Sequence, residues 1–338
     1  MTTSVAVRST GAAPPGGPES SRAAWAKRLA PLLAVPVLLL APALFGDYRM
    51  LLANLMLANV MVVLGLVVLL GWSGQFGFTS AAFMGVGAYS GARLASLHSG
   101  LPLEGALLLG LLCGTAVGLA FGLLAVRVRR YYLAIVTIAF MYLLQLLARE
   151  GGEYTGGVDG FLVNPPRVWL LGGRVLSSTR DQYYVGLVLM ALVLLAVLWL
   201  RRTPLARGWV TLKTDDRYAQ AIGVDVYRSR LAAFVIASAI FSVAGTWFTF
   251  VTQFVHPETF GFAFLMSHFI FLVVGGVTSP IWAAIAAAGL TAVSEYVRSF
   301  TGVSDIIYGV ILLLSVLLMR NGLYGVFHAV TKLKERWA

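Results

Sequence analysis

Long apolar runs follow one another along almost the whole of this 338-residue chain. A helix needs roughly 20 mostly apolar residues to cross the hydrocarbon core of a bilayer. Runs of about that length occupy 29–45, 50–70, 79–97, 105–126, 131–148, 183–200, 231–254, 260–277, 280–297 and 302–319. Since helices satisfy their own backbone polar groups in lipid, the sequence predicts an all-α polytopic membrane protein with about ten transmembrane helices.

The scarcity of charged residues excludes a soluble fold. Charged residues make up 12% of the chain and hydrophobic residues 59%, whereas a soluble domain carries about 25% charged residues. The single cysteine, Cys113, excludes an intramolecular disulfide and a cysteine-rich metal site. The net charge of +11 is therefore interpreted through membrane topology, and no nucleic-acid partner is expected.

Lysine and arginine are distributed unevenly between the two sides of the predicted membrane domain. Ten spans place both termini on one side, and with the N-terminus in the cytosol the inner segments hold 18 of the 25 basic residues. Cytosolic loops are enriched in Lys and Arg, so both termini are predicted to be cytosolic. The predicted organisation is a disordered cytosolic tail at 1–28, a transmembrane domain at 29–319 and a basic cytosolic tail at 320–338.

The third and eighth predicted spans are rich in Gly or Ser and are predicted to be broken or re-entrant. The third follows Gly-Trp-Ser-Gly-Gln at 71–75. Irregular backbone at membrane depth suits the wall of a cavity, which makes Gly74, Gln75, Thr79 and Ser80 candidate translocation-pathway residues. A tight turn followed by a packed helix is the alternative interpretation.

The seventh predicted span carries hydroxyl residues broadly on one face, namely Ser238, Ser242, Thr246, Thr249 and Thr252. Such residues often hydrogen-bond to their own helix and serve packing. A polar stripe that faces a pore is the alternative, with Ser242 and Thr246 as its candidate pathway residues.

Glycine recurs every four residues in the fourth predicted span, at Gly110, Gly114, Gly118 and Gly122. Residues at this spacing share one face of a helix. Small residues on one face let a second helix approach closely and gain dispersion contacts. The pattern therefore predicts a helix-packing seam.

Two of the predicted loops are large, the outer one at 149–182 and the inner one at 201–230. Between 208 and 223, apolar residues at helical spacing alternate with charged ones. The apolar residues are Trp209, Leu212, Tyr218 and Ile222, and the charged residues are Lys213, Asp215, Asp216 and Arg217. This pattern predicts a short amphipathic cytosolic helix ended by Gly223, because glycine readily adopts the left-handed conformation. A solvated connector is the alternative.

Several catalytic motifs are absent from the sequence. There is no Gly-x-x-x-x-Gly-Lys-Ser/Thr motif, so this chain is not expected to hydrolyse ATP with a P-loop. The four histidines are scattered without metal-ligand spacing. Within the predicted spans, His268 and Glu295 are the clearest ionisable residues, and such groups are often functional in membranes. Since Glu295 lies near the end of its span, contact with water is the alternative there.

Five motifs, taken in order, resemble those of one family. They are the block 71–89, Thr-Gly-Gly-Val-Asp-Gly at 155–160, the stretches 205–226 and 231–239, the glycine pair 275–276, and Arg-Asn-Gly-Leu-Tyr-Gly at 320–325. Together they resemble the LivM-type permease subunits of branched-chain amino acid ABC importers, over about 30–330. The chain departs from that family's pattern at Thr79-Ser80, where Gly-His is common, and at Thr278, where a further glycine is common.

The resemblance implies the transmembrane permease subunit of an ATP-driven importer in the bacterial cytoplasmic membrane. It implies a second, LivH-type permease subunit, two cytosolic ATPase subunits that bind ATP and Mg, and an extracytoplasmic solute-binding protein. The chain itself would be no enzyme and hold no cofactor, and 208–223 would be the helix that docks on the ATPase. Branched-chain amino acids are the leading solutes, and other amino acids, amides and urea are carried by similar permeases.

Two other functions compete with this reading. A stand-alone secondary transporter or channel would couple to ions through intramembrane carboxylates, and the predicted spans contain almost none. A membrane-embedded enzyme would need a cluster of His, Asp or Glu within the spans, and the sequence shows none.

Overall fold

The computed structural model describes residue 42 and residues 46–93, 102–128, 130–169 and 172–298. The predicted tails at 1–28 and 320–338 lie outside the described residues, as do the predicted span 302–319 and nearly all of the span 29–45. The chain divides into two compact units at 1–46 and 47–338. The second unit is the one described below.

Helices make up most of this unit. They are α1 Asp47–Leu66, α2 Ser80–Gly87, α3 Leu103–Ala125, α4 Arg130–Glu150, α5 Thr179–Leu200, α6 Pro204–Thr214, α7 Asp216–Ala221, α8 Val226–Thr252, α9 Phe262–Gly275 and α10 Pro280–Arg298. α1 continues as a π-helix over Val67–Trp72, and α2 continues as a π-helix over Ala88–Ala92. The long apolar runs predicted the membrane helices among these, because a helix pairs its own backbone N–H and C=O groups and can therefore lie in lipid.

Short strands and 3-10 helices connect some of the helices. The strands are β1 Phe161–Leu162, β2 Arg167–Val168, β3 Arg174–Val175 and β4 Phe254–Val255. β1 pairs antiparallel with β4, and β2 with β3. The 3-10 helices are Gly152–Tyr154, Gly157–Asp159 and Pro257–Phe260.

Five of the described helices are long and apolar enough to cross a membrane, namely Asp47–Trp72, Leu103–Ala125, Tyr132–Glu150, Thr179–Leu200 and Val226–Thr252. α9 is a shorter apolar helix. The prediction of an all-α polytopic membrane protein is confirmed, whereas the total of ten spans stays a prediction. The third predicted span, 79–97, follows seven residues outside any helix, 73–79, and its described part is helical without a break from Ser80 through the π-helix Ala88–Ala92.

The long helices run alternately between two ends of the unit. α6 and α7 lie at one end, called the α6–α7 end, which also holds 73–79, 126–128 and 276–279. There the Trp72 indole donates a hydrogen bond to the Thr278 carbonyl (3.1 Å) and the Tyr227 hydroxyl to the Leu123 carbonyl (3.1 Å). The four strands and the 3-10 helices lie at the other, called the hairpin end.

α8 lies at the centre of the unit, where it packs against α1, α2 and α3. α1 and α8 are mostly buried, whereas α3, α4 and α5 leave most of their apolar surface uncovered. Examples of uncovered side chains are Leu108, Ile135 and Leu192. Outward-facing apolar surface of this extent fits contact with lipid or another membrane subunit.

The four glycines of α3 face α8 at close range. A Cβ atom placed on Gly110 or Gly114 would overlap the hydroxyl of Thr246 or Ser242, and one on Gly118 would lie 2.7 Å from Ser238 Cβ. Gly122 meets Leu231 in the same way, at 2.9 Å. Only hydrogen at these positions lets α3 approach α8 so closely.

α2 makes an equally close contact on another face of α8. A Cβ atom on Gly87 would overlap the Ser242 backbone, and one on Gly245 would overlap the Met84 backbone. The Ser242 hydroxyl donates to the Phe83 carbonyl at 2.8 Å, and the Thr246 hydroxyl to the Gly87 carbonyl at 2.9 Å.

These contacts favour the packing interpretation of Ser242 and Thr246, and their assignment to a pathway stays a prediction. Both side chains are fully buried between three helices, and their hydroxyls satisfy backbone carbonyls of α2. A hydroxyl that donates to a neighbouring helix joins two helices without exposing a polar group to lipid.

We expect Gly114→Leu and Gly118→Leu to disrupt folding or assembly, at a cost of about 3 kcal/mol for each, because a leucine cannot fit against α8 without displacing it. Gly289→Leu is the matched control, since a Cβ atom at Gly289 meets no atom within 4 Å. Thermal unfolding of the purified chain in detergent measures the difference. Equal stability of the three variants would contradict the close packing of α3 and α8.

Candidate functional site

The segment predicted as one amphipathic helix is two helices in the structure. α6 ends at Thr214 and α7 begins at Asp216, with Asp215 in an extended conformation between them. The Asp215 carboxylate accepts a hydrogen bond from the Arg217 backbone N–H at 2.8 Å. The prediction of a continuous helix over 208–223 was wrong because Asp215 acts as the N-cap of a new helix, a position that aspartate favours.

The apolar side of α6 faces the interior of the protein. Trp209 and Leu212 are both 0% exposed, and the Trp209 indole donates to the Ser229 carbonyl at 2.7 Å. The assignment of these two residues as anchors for a partner protein is therefore wrong. They hold α6 against the first turn of α8, and a partner cannot reach them.

The two large apolar residues of the α7 segment face outward, whereas Ala219 is buried. Tyr218 is 61% exposed and Ile222 is 55% exposed. Gly223 has a φ of +84°, which confirms the predicted left-handed residue after the helix. We call Tyr218 and Ile222 the α7 surface.

An ion pair holds α7 to α8. Arg230 donates two hydrogen bonds of 2.8 Å from one nitrogen to the two carboxylate oxygens of Asp216. The Arg230 side chain is mostly buried. Removing one partner of such a pair leaves the other charge poorly solvated. Asp216 was predicted to make contacts at the rim of a partner interface. Its side chain pairs with Arg230 and is still 43% exposed, so that role stays a prediction.

The segment 71–75 lies next to the α6–α7 segment, at the α6–α7 end of the unit. The Gln75 side-chain amide donates to the Arg230 carbonyl at 2.9 Å and to the Ser73 hydroxyl at 3.0 Å. Gly74 has a φ of +66°, and a Cβ atom there would lie 3.0 Å from Lys213 Cγ. Of the predicted pathway residues, Gly74 thus contacts Lys213 of α6, and Gln75 contacts Arg230 of α8.

Lys213 links α6 to the end of the first membrane helix. Its ammonium group donates to the Gly71 carbonyl at 3.0 Å, near the negative end of the π-helix Val67–Trp72. Burial lowers the pKa of Lys213 from its usual value. Lys213 was expected among the charged residues of an exposed helix. In the structure its side chain reaches the π-helix that continues α1.

Thr79 and Ser80 lie at the start of α2. Both are buried, and the neighbouring Phe78 backbone N–H donates to the Thr137 hydroxyl of α4 at 3.0 Å. The Thr79 hydroxyl oxygen has no hydrogen-bond partner among the described residues. The assignment of Thr79 and Ser80 to a pathway stays a prediction.

A groove of about 420 Å³ lies beside α7, between the end of α3 and the start of α8. Val126, Gln220, Asp225 and Tyr227 are among the residues that line it. Sequence reasoning missed Arg230 and Tyr227 as parts of this end of the protein. The sequence signal for them was Asp225, because aspartate favours the position before the first residue of a helix. In the structure the Asp225 carboxylate accepts a hydrogen bond from the Arg228 backbone N–H at the start of α8. Tyr227 and Arg230 therefore lie on the first turns of α8.

Comparison with known proteins identifies the family. The family model described as the branched-chain amino acid transport system permease component matches 48–317. This chain belongs to that family. The LivM permease proteins of the high-affinity branched-chain amino acid transport systems of Salmonella typhimurium and Escherichia coli are each 30% identical over 305 residues, covering 84% of this chain and 71% of each relative. No solved structure matches the chain.

The permease is thus a multi-pass membrane transport subunit and not an enzyme. The match covers both α6–α7 and the helices they contact. The α7 surface is exposed on a segment that side-chain hydrogen bonds fix to two membrane helices, α8 and the π-helix that continues α1. Such an arrangement can transmit a force applied at α7 to the membrane helices, because the segment cannot shift without them.

The two ionisable residues singled out within the permease spans differ in their surroundings. His268 is buried, with Nδ1 2.8 Å from the Phe264 carbonyl and Nε2 3.1 Å from Asn59 Oδ1. Glu295 accepts a hydrogen bond from the Tyr48 hydroxyl at 3.2 Å near the hairpin end. Both residues therefore contribute to contacts between helices.

We expect Trp209→Ala to destabilise the permease by about 3–5 kcal/mol, because it leaves a cavity between α6 and α8. Tyr218→Ala removes an aromatic residue of the same segment and should change stability by less than about 0.5 kcal/mol, as is usual for exposed sites. Thermal unfolding of the two purified variants measures the contrast. A larger loss for Tyr218→Ala than for Trp209→Ala would contradict the inward and outward orientations.

Proposed function

We propose that this chain is the permease subunit of an ATP-driven ABC importer for branched-chain amino acids or similar small polar solutes. Its family and the names of its relatives support the solute class. The observation that carries the coupling role is the exposed α7 surface on a segment that is attached to the membrane helices from within.

The proposed importer has further subunits. A LivH-type permease subunit pairs with this chain, two cytosolic ATPases bind ATP and Mg, and an extracytoplasmic binding protein delivers the solute. The absence of a P-loop motif from the sequence supports separate ATPase chains. The uncovered apolar faces of α3, α4 and α5 offer surface for the second permease subunit and for lipid.

The α7 surface docks in a groove of the ATPase. Tyr218 and Ile222 supply the apolar contacts that usually carry most of the binding energy, and exposed charges nearby, Asp215 and Arg217, tune orientation. Movement of the ATPase then pulls on Asp216, whose ion pair with Arg230 moves α8. The Arg230 carbonyl and Lys213 pass the same movement to 71–75 and α1.

The α6–α7 end faces the cytosol in this proposal, in the bacterial cytoplasmic membrane. Seven basic residues lie in the loop 201–230 at this end, and cytosolic loops are enriched in such residues. Both termini are cytosolic, and the hairpin end faces the binding protein outside.

The double variant Tyr218→Asp/Ile222→Asp should abolish ATP-driven uptake and lose the ATPase on purification, while expression and membrane insertion stay unchanged. Carboxylates in place of apolar side chains cannot be desolvated in an apolar groove. Tyr154→Asp, at an even more exposed aromatic residue of the hairpin end, is the control and should retain the ATPase. If the double variant co-purifies with the ATPase and imports solute normally, α7 is a solvated connector and does not dock on the ATPase.

Sidedness can be measured with single cysteines in a Cys113→Ala background. Tyr218→Cys should react with a membrane-impermeant maleimide only after the cells are opened, whereas Tyr154→Cys should react in cells whose cytoplasmic membrane is intact. A reporter fused at Ala338 should be active only in the cytosol. The opposite labelling pattern would invert the proposed topology.

A further inference from the structure

A cavity of about 400 Å³ lies between α2, α3 and α4 and reaches the hairpin end. Ala81 of α2, Val117 of α3 and Met141 of α4 line its deeper part, and Thr155 and Pro257 line it at the hairpin end. The lining is mostly apolar, and none of the residues that line it is charged.

The cavity follows from the way α3 and α4 pack. α3 is held close to α8 by its glycines, whereas α4 contacts α2 and the 3-10 helices of the hairpin end and contacts α3 much less. Phe121 and Phe140 stack at 3.9 Å between α3 and α4. They lie one turn beyond Val117 and Leu144 toward the α6–α7 end, and form an aromatic floor beneath the cavity.

Tyr89 lines the cavity from the π-helix that extends α2. Its ring lies near Phe161 and Phe260, with centroids 5.9 Å and 6.4 Å away. Its hydroxyl oxygen is buried and has no hydrogen-bond partner among the described residues. A buried hydroxyl without a partner is costly, and π-helical turns are frequent at functional sites, so both features point to a ligand.

We propose that this cavity binds the transported aliphatic amino acid on its way from the hairpin end, with its side chain among Val117 and Met141, its carboxylate on the Tyr89 hydroxyl and its ammonium group on the side-chain oxygen of Gln145, which also lines the cavity. This inference rests on the proposed function. The volume lies within the range of small-ligand sites, about 300–1,000 Å³. A neutral lining disfavours solutes with charged side chains, because a buried charge without a partner is costly.

The first test fills the cavity in the complete importer reconstituted with its partner subunits. Val117→Phe adds bulk inside the cavity, whereas Leu119→Phe adds it on the exposed face of the same helix. L-leucine uptake at saturating loaded binding protein should fall at least about tenfold for Val117→Phe and stay near wild type for Leu119→Phe. Both variants should keep their partner subunits and their thermal stability.

The second test removes the hydroxyl alone. Tyr89→Phe should lower the rate of L-leucine uptake about tenfold, since it removes one hydrogen bond to a carboxylate. It should not lower thermal stability, because the hydroxyl has no partner within the described protein.

The third test uses Cys113, the single cysteine of the chain, as a probe in the cavity. Its alkylation by N-ethylmaleimide, followed by mass spectrometry, should slow at least about threefold when saturating L-leucine is present, and L-glutamate should give no protection. The neutral lining gives the reason for this difference.

The outcomes separate this inference from the proposed function. A wild-type complex that imports no branched-chain amino acid with ATP overturns the proposed function. Normal uptake by Val117→Phe, or alkylation of Cys113 that L-leucine does not change, overturns the cavity assignment while the importer stands. If the Cys113 thiol never reacts with N-ethylmaleimide, the cavity is closed or filled with lipid. This result also overturns the cavity assignment.

Discussion

The close approach of three helices is the constraint on which the rest of the permease depends. α3 and α2 both lie against α8 at positions where glycine replaces a side chain, and hydroxyls of α8 satisfy backbone carbonyls of α2. In lipid, helices gain little from hydrophobic association, so dispersion at short range and interhelical hydrogen bonds hold them together. α8 thereby becomes a rigid centre that reaches from one end of the unit to the other.

The α6–α7 segment uses that centre as its support. Trp209 packs against the start of α8, Lys213 reaches the end of the first membrane helix, and Asp216 pairs with Arg230. These contacts use the polar and apolar residues of the inward side, and they leave Tyr218 and Ile222 exposed. Internal attachment and external exposure on one short segment are what a coupling element between an ATPase and membrane helices requires.

The same packing explains the cavity at the opposite end. Because the glycines draw α3 toward α8, α3 separates from α4 above the stacked pair Phe121 and Phe140. α2 lies beside this gap and presents Tyr89 from the π-helix that continues it. Tight packing on one face of α3 and open space on another are therefore consequences of a single arrangement.

The sequence by itself determined the helices, the glycine face of α3 and the residue that ends α7, because apolar run length, four-residue spacing and the conformational freedom of glycine act locally. The tertiary structure alone decided which way each side chain faces. Trp209 and Tyr218 look equivalent in the pattern, but a break at Asp215 turns one inward and the other outward. Gln75 and Ser242 are predicted pathway residues, and only the structure shows that their hydrogen-bond partners are Arg230 and Phe83, which lie 155 and 159 residues away in the chain. Periodicity along one segment carries no information about such distant partners, and burial depends on them.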